Sequence, residues 1–289
     1  VNQTSRVGND HLVDTLLKMN VDIRMIFSPE HGFRGAADAG EKVDNSKDSK
    51  TGLPLISLYG SNKKPTSRDI EQIDILVFDI QDVGVRFYTY ISTLHYVMEA
   101  CAESNVPIIV LDRPNPNAHY IDGPMLDKKF KSFVGMHPIP VLHGLTVGEL
   151  ALMIKGENWI NNANKLKLRV VPMQHYTKSQ IYHLPVAPSP NLPNFQAIRL
   201  YPSLCFFEPT AVSIGRGTNF AFQVTGHDEV HLGSFAFTPV SMPFAAPSPK
   251  LMDTPLQGVD LRQSNLQGLD LRLLVEYFEA FKAQNIPFF

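Results

Sequence analysis

The chain has 289 residues, 44% of them hydrophobic and 19% charged, which fits one large or two modest domains and excludes a wholly disordered polymer. Lys and Arg number 26 against 28 Asp and Glu, a formal charge of −2, so nothing in the charge balance argues for a nucleic-acid partner. Two cysteines, Cys101 and Cys205, are too few for a disulfide framework or a zinc site, and both lie in apolar patterns that suit buried thiols.

The first half alternates helix and strand. Asn9 or Asp10 is placed to cap a helix whose apolar face is Leu12, Val13, Leu16 and Leu17. Ile23 to Phe27 reads as a short strand ended by Ser28-Pro29, and residues 36–54 as a long polar loop. Ile75 to Phe78 is a continuous apolar run, as expected of a strand covered on both faces. Ile91, Leu94, Val97, Met98 and Cys101 predict a helix, and Pro107 to Leu111 the next buried strand. Thr146-Val147-Gly148-Glu149 has capping-box spacing, with Val147, Leu150, Ala151 and Ile154 continuing one helical face. This rhythm predicts an α/β chain with a Rossmann-like, mostly parallel sheet.

Leu168 to Val171 predicts another strand, after which the texture changes. Pro185, Pro188, Pro190 and Pro193 fall close together, Gly215-Arg216-Gly217 marks a tight turn, and Leu273, Leu274, Tyr277, Phe278 and Phe281 give a last amphipathic helix. The shift sets in near Gly156 and the asparagine cluster Asn161 to Asn164. The expected division is a Rossmann-like catalytic domain over residues 1–158 and a smaller Pro-rich α+β domain over 159–289. No window reaches the roughly eighteen apolar residues of a membrane span. Val1 and the apolar Ile286-Pro287-Phe288-Phe289 read as cut ends, so the termini do not reveal the compartment.

In a doubly wound sheet, ligands bind beyond the carboxyl ends of the strands. Three predicted strands run into polar clusters: Glu30-His31-Gly32-Phe33-Arg34-Gly35, Asp79-Ile80-Gln81-Asp82-Val83-Gly84-Val85-Arg86, and Asp112-Arg113-Pro114-Asn115-Pro116. Parallel strands would bring these clusters to one edge. Glu30 has a plain reading, a loop carboxylate paired with Arg34, and a sharper one, a general acid for glycoside hydrolysis with Asp79 and Asp82 as like charges nearby. Asp82 either caps the turn before Gly84 or assists as a second carboxylate, and Asp112-Arg113 either shapes its loop or binds. Arg34, Arg86 and Arg216 lie near glycines and suit a ligand carboxylate, or are ordinary loop arginines. Tyr88 can offer a ring to a sugar face or fill the core, and His143 before Gly144 is equally two-sided. His31 with Asp79 and Asp82 would make a metal-dependent hydrolase, but no second histidine stands at ligand spacing, so no metal is expected. With no Gly-x-Gly-x-x-Gly after the first strand and no Gly-Lys-Ser/Thr, no nucleotide or other cofactor is expected either.

Ser28 to Gly35, Phe78 to Tyr90 and Leu111 to Pro116 closely resemble the bacterial domain-of-unknown-function 1343 family. Its characterised members are exo-β-N-acetylmuramidases of the NamZ type. His137-Pro138-Ile139-Pro140 with His143 to Leu150, Pro188 to Pro193, and Ser213 to Thr218 extend the likeness over nearly the whole chain. The resemblance implies removal of N-acetylmuramic acid from the non-reducing ends of peptidoglycan fragments, with Glu30 as the leading catalytic residue and Asp82 assisting. His31, Arg34, Gln81, Arg86, Tyr88, Asp112, Arg113, Asn115, His143, Asn191 and Arg216 are then the candidates for holding muropeptides or amino-sugar disaccharides. It further implies an active cleft between two domains, an extracytoplasmic, periplasmic or exported enzyme, and family segments on both sides of this chain. Glu208-Pro209-Thr210 departs from the family's Glu-Gly-Thr. The alternative from another class is a non-catalytic muropeptide- or sugar-binding protein.

Overall fold

The computed structural model describes residues 1–30, 32–34 and 46–289. It divides into two compact units, Val1–Tyr182 and His183–Phe289.

In chain order the first unit contains β1 (Arg6–Val7), β2 (Asp10–His11), α1 (Leu12–Lys18), β3 (Ile26–Ser28), β4 (Ser46–Lys47), β5 (Pro54–Ser57), α2 (Ser67–Ile70), β6 (Leu76–Phe78), α3 (Tyr90–Glu103), β7 (Ile108–Leu111), α4 (Val147–Gly156) and β8 (Leu168–Val171). β6, β7 and β8 form a fully parallel sheet, with Phe78 opposite Val110 and Leu111 opposite Val171. A second sheet pairs β3 with β5 in parallel and β4 with β5 antiparallel. The mixed α/β fold with its parallel sheet is the one the βαβ rhythm predicts.

Helices cover these sheets because their apolar faces have nowhere else to go. α3 buries Ile91, Leu94, Met98 and Cys101 completely, and burial pushes the Cys101 thiol up to about 12. α4 starts at the predicted capping box: Glu149 N–H donates to Thr146 Oγ1 at 3.2 Å, and Thr146 N–H donates to Glu149 Oε2 at 2.9 Å. α1 is capped differently from expectation. His11 Nδ1 accepts the Val13 N–H at 3.2 Å, because Asp10 is drawn into β2 opposite Val7 and its carboxylate meets Lys18. Between β3 and β6 lies a cavity of about 230 Å³, lined mainly by aliphatic side chains with Phe27 and Phe78. It offers hydrocarbon rather than chemistry.

The unit boundary falls beyond residue 158 for a topological reason. β8 returns to pair with β7, so Leu168–Val171 belongs to the first sheet although the composition has already changed. The second unit holds α5 (Phe195–Leu204), β9 (Val224–His227), β10 (Phe235–Phe237), β11 (Leu256–Asp260) and α6 (Arg272–Ala283). Its antiparallel sheet runs β10-β11-β9 around Val224, Phe237 and Leu256. Gly258 lets β11 close on β9, since a Cβ there would sit 1.8 Å from the Thr225 carbonyl oxygen.

Two imidazoles are sealed into the first unit. His95 Nδ1 lies 3.1 Å from His137 Nε2, and His137 stacks on Trp159 with ring centroids 5.4 Å apart. Burial lowers their pKa values to about 4 and about 3; Lys131 acts in the same direction on both and His95 on His137, while Glu99 opposes at His95 and Lys64 lowers it further. Both rings are therefore neutral at pH 7. The unfolded chain takes up these protons near pH 6.5, before the folded chain does, so stability falls as pH drops from 6.5 towards 4. Denaturant unfolding across that range should show the loss, and replacing the pair by His95→Leu with His137→Phe should flatten the profile.

Candidate functional site

The site begins where β6 and β7 end side by side. Beyond Phe78, Asp79 turns its carboxylate across to Arg113, which follows β7. Arg113 Nε and Nη2 donate to the two Asp79 oxygens at 2.6 and 2.7 Å. Gln81 ties the same exits together, its Nε2 donating to the carbonyls of Asp82 at 2.7 Å and Pro114 at 2.6 Å. The segment Asn2 to Ser5 closes the end of β6: Gln81 N–H donates to Thr4 Oγ1 at 3.0 Å, and the Ser5 hydroxyl donates to the Asp79 carbonyl.

Asp112 faces the other way. Its oxygens accept from Gly148 N–H at 2.7 Å, Thr146 Oγ1 at 2.8 Å and Arg113 N–H at 2.9 Å. It thus anchors the first turn of α4 to the end of β7, with Gly148 required because a Cβ would stand 2.7 Å from Asp112 Cγ. Burial pushes its carboxyl pKa up against those hydrogen bonds.

Asp82 has the turn-capping geometry. Its Oδ2 accepts the Gly84 N–H at 2.7 Å, while its buried Oδ1 has no hydrogen-bond partner among the described residues. Gly84 has φ +76° and touches the Asn115 side chain so closely that a Cβ would lie 2.1 Å from its Oδ1. Asn115 in turn donates through Nδ2 to the Leu145 carbonyl at 2.9 Å and accepts at Oδ1 from Asn117 N–H at 2.8 Å. His143 Nδ1 accepts from Leu145 N–H at 3.2 Å, which leaves the proton on Nε2, 3.7 Å from Asp82 Oδ2 and too far for a hydrogen bond. Arg86 Nη1 donates to the Pro124 and Ile139 carbonyls at 2.7 and 2.6 Å, so this guanidinium clamps a loop. Tyr88 is buried edge-on against Tyr90, their centroids 4.8 Å apart. In this arrangement Asp82, Arg86, Tyr88, Asp112, Asn115 and His143 are held inside the framework rather than turned to solvent.

Glu30 stands apart. It is half-buried, its Oε2 accepts from the Thr89 hydroxyl at 3.3 Å, and its backbone carbonyl accepts from Tyr90 at 3.4 Å. Thr89 immediately precedes α3, so the carboxylate sits at the positive end of a 14-residue helix. The expected Glu30–Arg34 pair is not formed. Arg34 Nε and Nη2 instead donate to both Asp48 oxygens at 2.9 Å, and Nη2 to Asp14 at 3.3 Å, with Lys50 also on Asp14 at 2.6 Å. These donors hold the Asp48 carboxyl far below the ordinary range, because Arg34 bonds it from two nitrogens. His31 lies outside the described residues, and so does the metal reading that depends on it; of its other proposed ligands, Asp79 is taken by Arg113 and Asp82 holds the Gly84 turn.

In the second unit, Asn191 Nδ2 donates to the Ala245 carbonyl at 2.7 Å, and Arg216 Nη1 meets Glu208 at 3.2 Å between two glycines of positive φ. Thr4, Ser5 and Thr89 were missed as site residues, because a hydroxyl beside a strand end or helix start carries no signal until its long-range partner is known.

The comparisons agree with one another. The family model described as exo-beta-N-acetylmuramidase NamZ, N-terminal, matches residues 1–196, and its C-terminal counterpart matches 199–285. The peptidoglycan beta-N-acetylmuramidase NamZ of Bacillus subtilis (strain 168) is 46% identical over 234 residues, covering 76% of this chain and 56% of that protein. The chain thus spans just over half the length of that curated relative. Crystal structures of two DUF1343 family proteins from Bacteroides fragilis NCTC 9343 superimpose with TM-scores of 0.88 at 47% identity and 0.82 at 32%. They cover 99% and 98% of this chain, and 78% and 77% of theirs.

The Arg34 cluster yields a stability test. Arg34→Met would leave buried Asp48 without its cation and Asp14 with Lys50 alone. The expected cost is about 1–3 kcal/mol at pH 7, less than for a fully buried pair because Arg34 is 31% exposed. The folded carboxyl pKa values are depressed, so the wild-type advantage is full above the unfolded value of 3.8 and fades as pH falls below it. Denaturant unfolding of both proteins at pH 7 and pH 3 checks the size and the sign.

Proposed function

This chain belongs to the NamZ exo-beta-N-acetylmuramidase family, and from that premise we propose that it is a glycoside hydrolase removing β-linked N-acetylmuramic acid from the non-reducing ends of peptidoglycan fragments. The observation that carries this reading is that one carboxylate stays uncommitted among the described residues. Asp79 is spent on Arg113, Asp112 on α4, and Asp82 on the Gly84 turn. Glu30 alone among these four keeps a half-buried carboxylate whose one hydrogen-bond partner among the described residues is a hydroxyl.

Glycoside cleavage requires a proton on the departing oxygen as positive charge builds on the sugar ring. In the proposed mechanism Glu30 delivers it, with Thr89 fixing the rotation of its carboxyl group and Tyr90 fixing its backbone. The attacking group at the anomeric carbon is water or the substrate's own 2-acetamido oxygen; the acid step is common to both. Asp82 acts in this geometry as a positioning residue, holding the Gly84 turn, because its free oxygen is enclosed. The substrate class also argues for work outside the cytoplasm, since peptidoglycan is assembled there.

Hydrolysis of an aryl β-N-acetylmuramide tests the reading. Glu30→Gln keeps shape but carries no transferable proton at neutral pH, so kcat should fall by about 10²- to 10⁴-fold with an unchanged melting temperature. A fall of less than about threefold would remove Glu30 as the acid. A structural role would instead appear as lost stability with near-normal kcat in the folded fraction.

A further inference from the structure

We infer that Arg113 reads the lactyl carboxylate of the muramic acid unit, and so separates N-acetylmuramic acid from N-acetylglucosamine. This inference rests on the muramidase reading above and deepens it. A planar guanidinium offers two forks: the side edge of Nε and Nη2, and the end formed by Nη1 and the second proton of Nη2. Asp79 occupies the side edge of Arg113, at 2.6 and 2.7 Å. The end fork meets no acceptor among the described residues, and the Arg113 side chain remains 21% exposed while Asp79 is 2% exposed. The buried carboxylate therefore locks the plane of the guanidinium and leaves its end fork open.

The other candidate arginines lack that combination. Arg34 spends Nε and Nη2 on Asp48 and reaches Asp14 with Nη1 and Nη2, and Arg86 spends Nη1 on two carbonyls and is buried. Arg216, in the second unit, pairs with Glu208 through Nη1. The acids next to Arg113 do not compete for the end fork: Asp112 is filled by Gly148, Thr146 and the Arg113 backbone, and Glu149 serves the α4 cap. Muramic acid differs from glucosamine by one ether-linked lactyl group, whose carboxylate matches a two-pronged donor. A second carboxylate on the free fork gives Arg113 an acid at each edge, a geometry that lysine cannot reproduce.

The test uses both the ligand and the protein. Binding of N-acetylmuramic acid, its lactyl methyl ester and N-acetylglucosamine is measured by calorimetry, alongside kcat/KM on aryl glycosides of both sugars. The wild-type chain should bind the free acid about 10- to 100-fold more tightly than the ester or the glucosamine. Arg113→Lys should lose a comparable factor on the muramide, mainly in KM, and less than about threefold on the glucosaminide. Equal binding of acid and ester, no muramide binding, or equal losses on both sugars would overturn the assignment. If acid is preferred over ester with no muramide hydrolysed, the catalytic reading fails while the carboxylate site stands. The ester comparison needs no variant, so it decides the matter even if Arg113→Lys does not fold.

Discussion

The parallel pairing of β6 with β7 is the constraint on which the site depends. Because Phe78 lies opposite Val110, the polar residues after the two strands leave the sheet at the same level and must satisfy one another. Asp79 and Arg113 do so as a bidentate pair, and the Gln81 amide bridges the two exits. An unpaired carboxylate as enclosed as Asp79 would be strongly disfavoured, so the pair and the strand register support each other. α4 is fastened to the same place through Asp112. Loop geometry here follows from charge pairing as much as from apolar packing.

Around this rigid centre the carboxylates divide by what they hold. Those beyond β6 and β7 hold Arg113, a turn and a helix start, whereas the carboxylate of Glu30, which follows β3, meets the Thr89 hydroxyl alone among the described residues. Arg34, fixed to Asp48 and Asp14, makes no ion pair with Glu30.

The sheet was legible in the sequence because β6 and β7 are bare apolar runs followed by acids, and Thr146 with Glu149 announced α4 in full. The three polar clusters were legible for the same reason, as strand ends rich in groups a core cannot use. Partners were not. Arg34 chooses Asp48 and Asp14 over the glutamate four residues away, and Asp112 chooses a helix start beyond Leu145, choices made by tertiary approach alone. β8 was legible as a strand, but its pairing with β7 was not, because composition changes before the sheet is complete. In the second unit, Gly226 and Gly258 leave β9 and β11 short of the apolar side chains that mark a strand, and Pro202 masks α5 although Ala197, Ile198, Tyr201 and Leu204 keep helical spacing. The family resemblance supplied the sugar chemistry that no local pattern could.

The central claim is that Glu30 donates the proton to the departing oxygen. Its most direct test is the dependence of kcat/KM on leaving-group pKa, across a series of aryl β-N-acetylmuramides, for the wild-type chain and Glu30→Gln. An acid at Glu30 predicts a shallow dependence for wild type and a steep one for the variant, with near-complete rescue on the most acidic phenol. Parallel lines, with the variant slowed equally on every phenol, would contradict it.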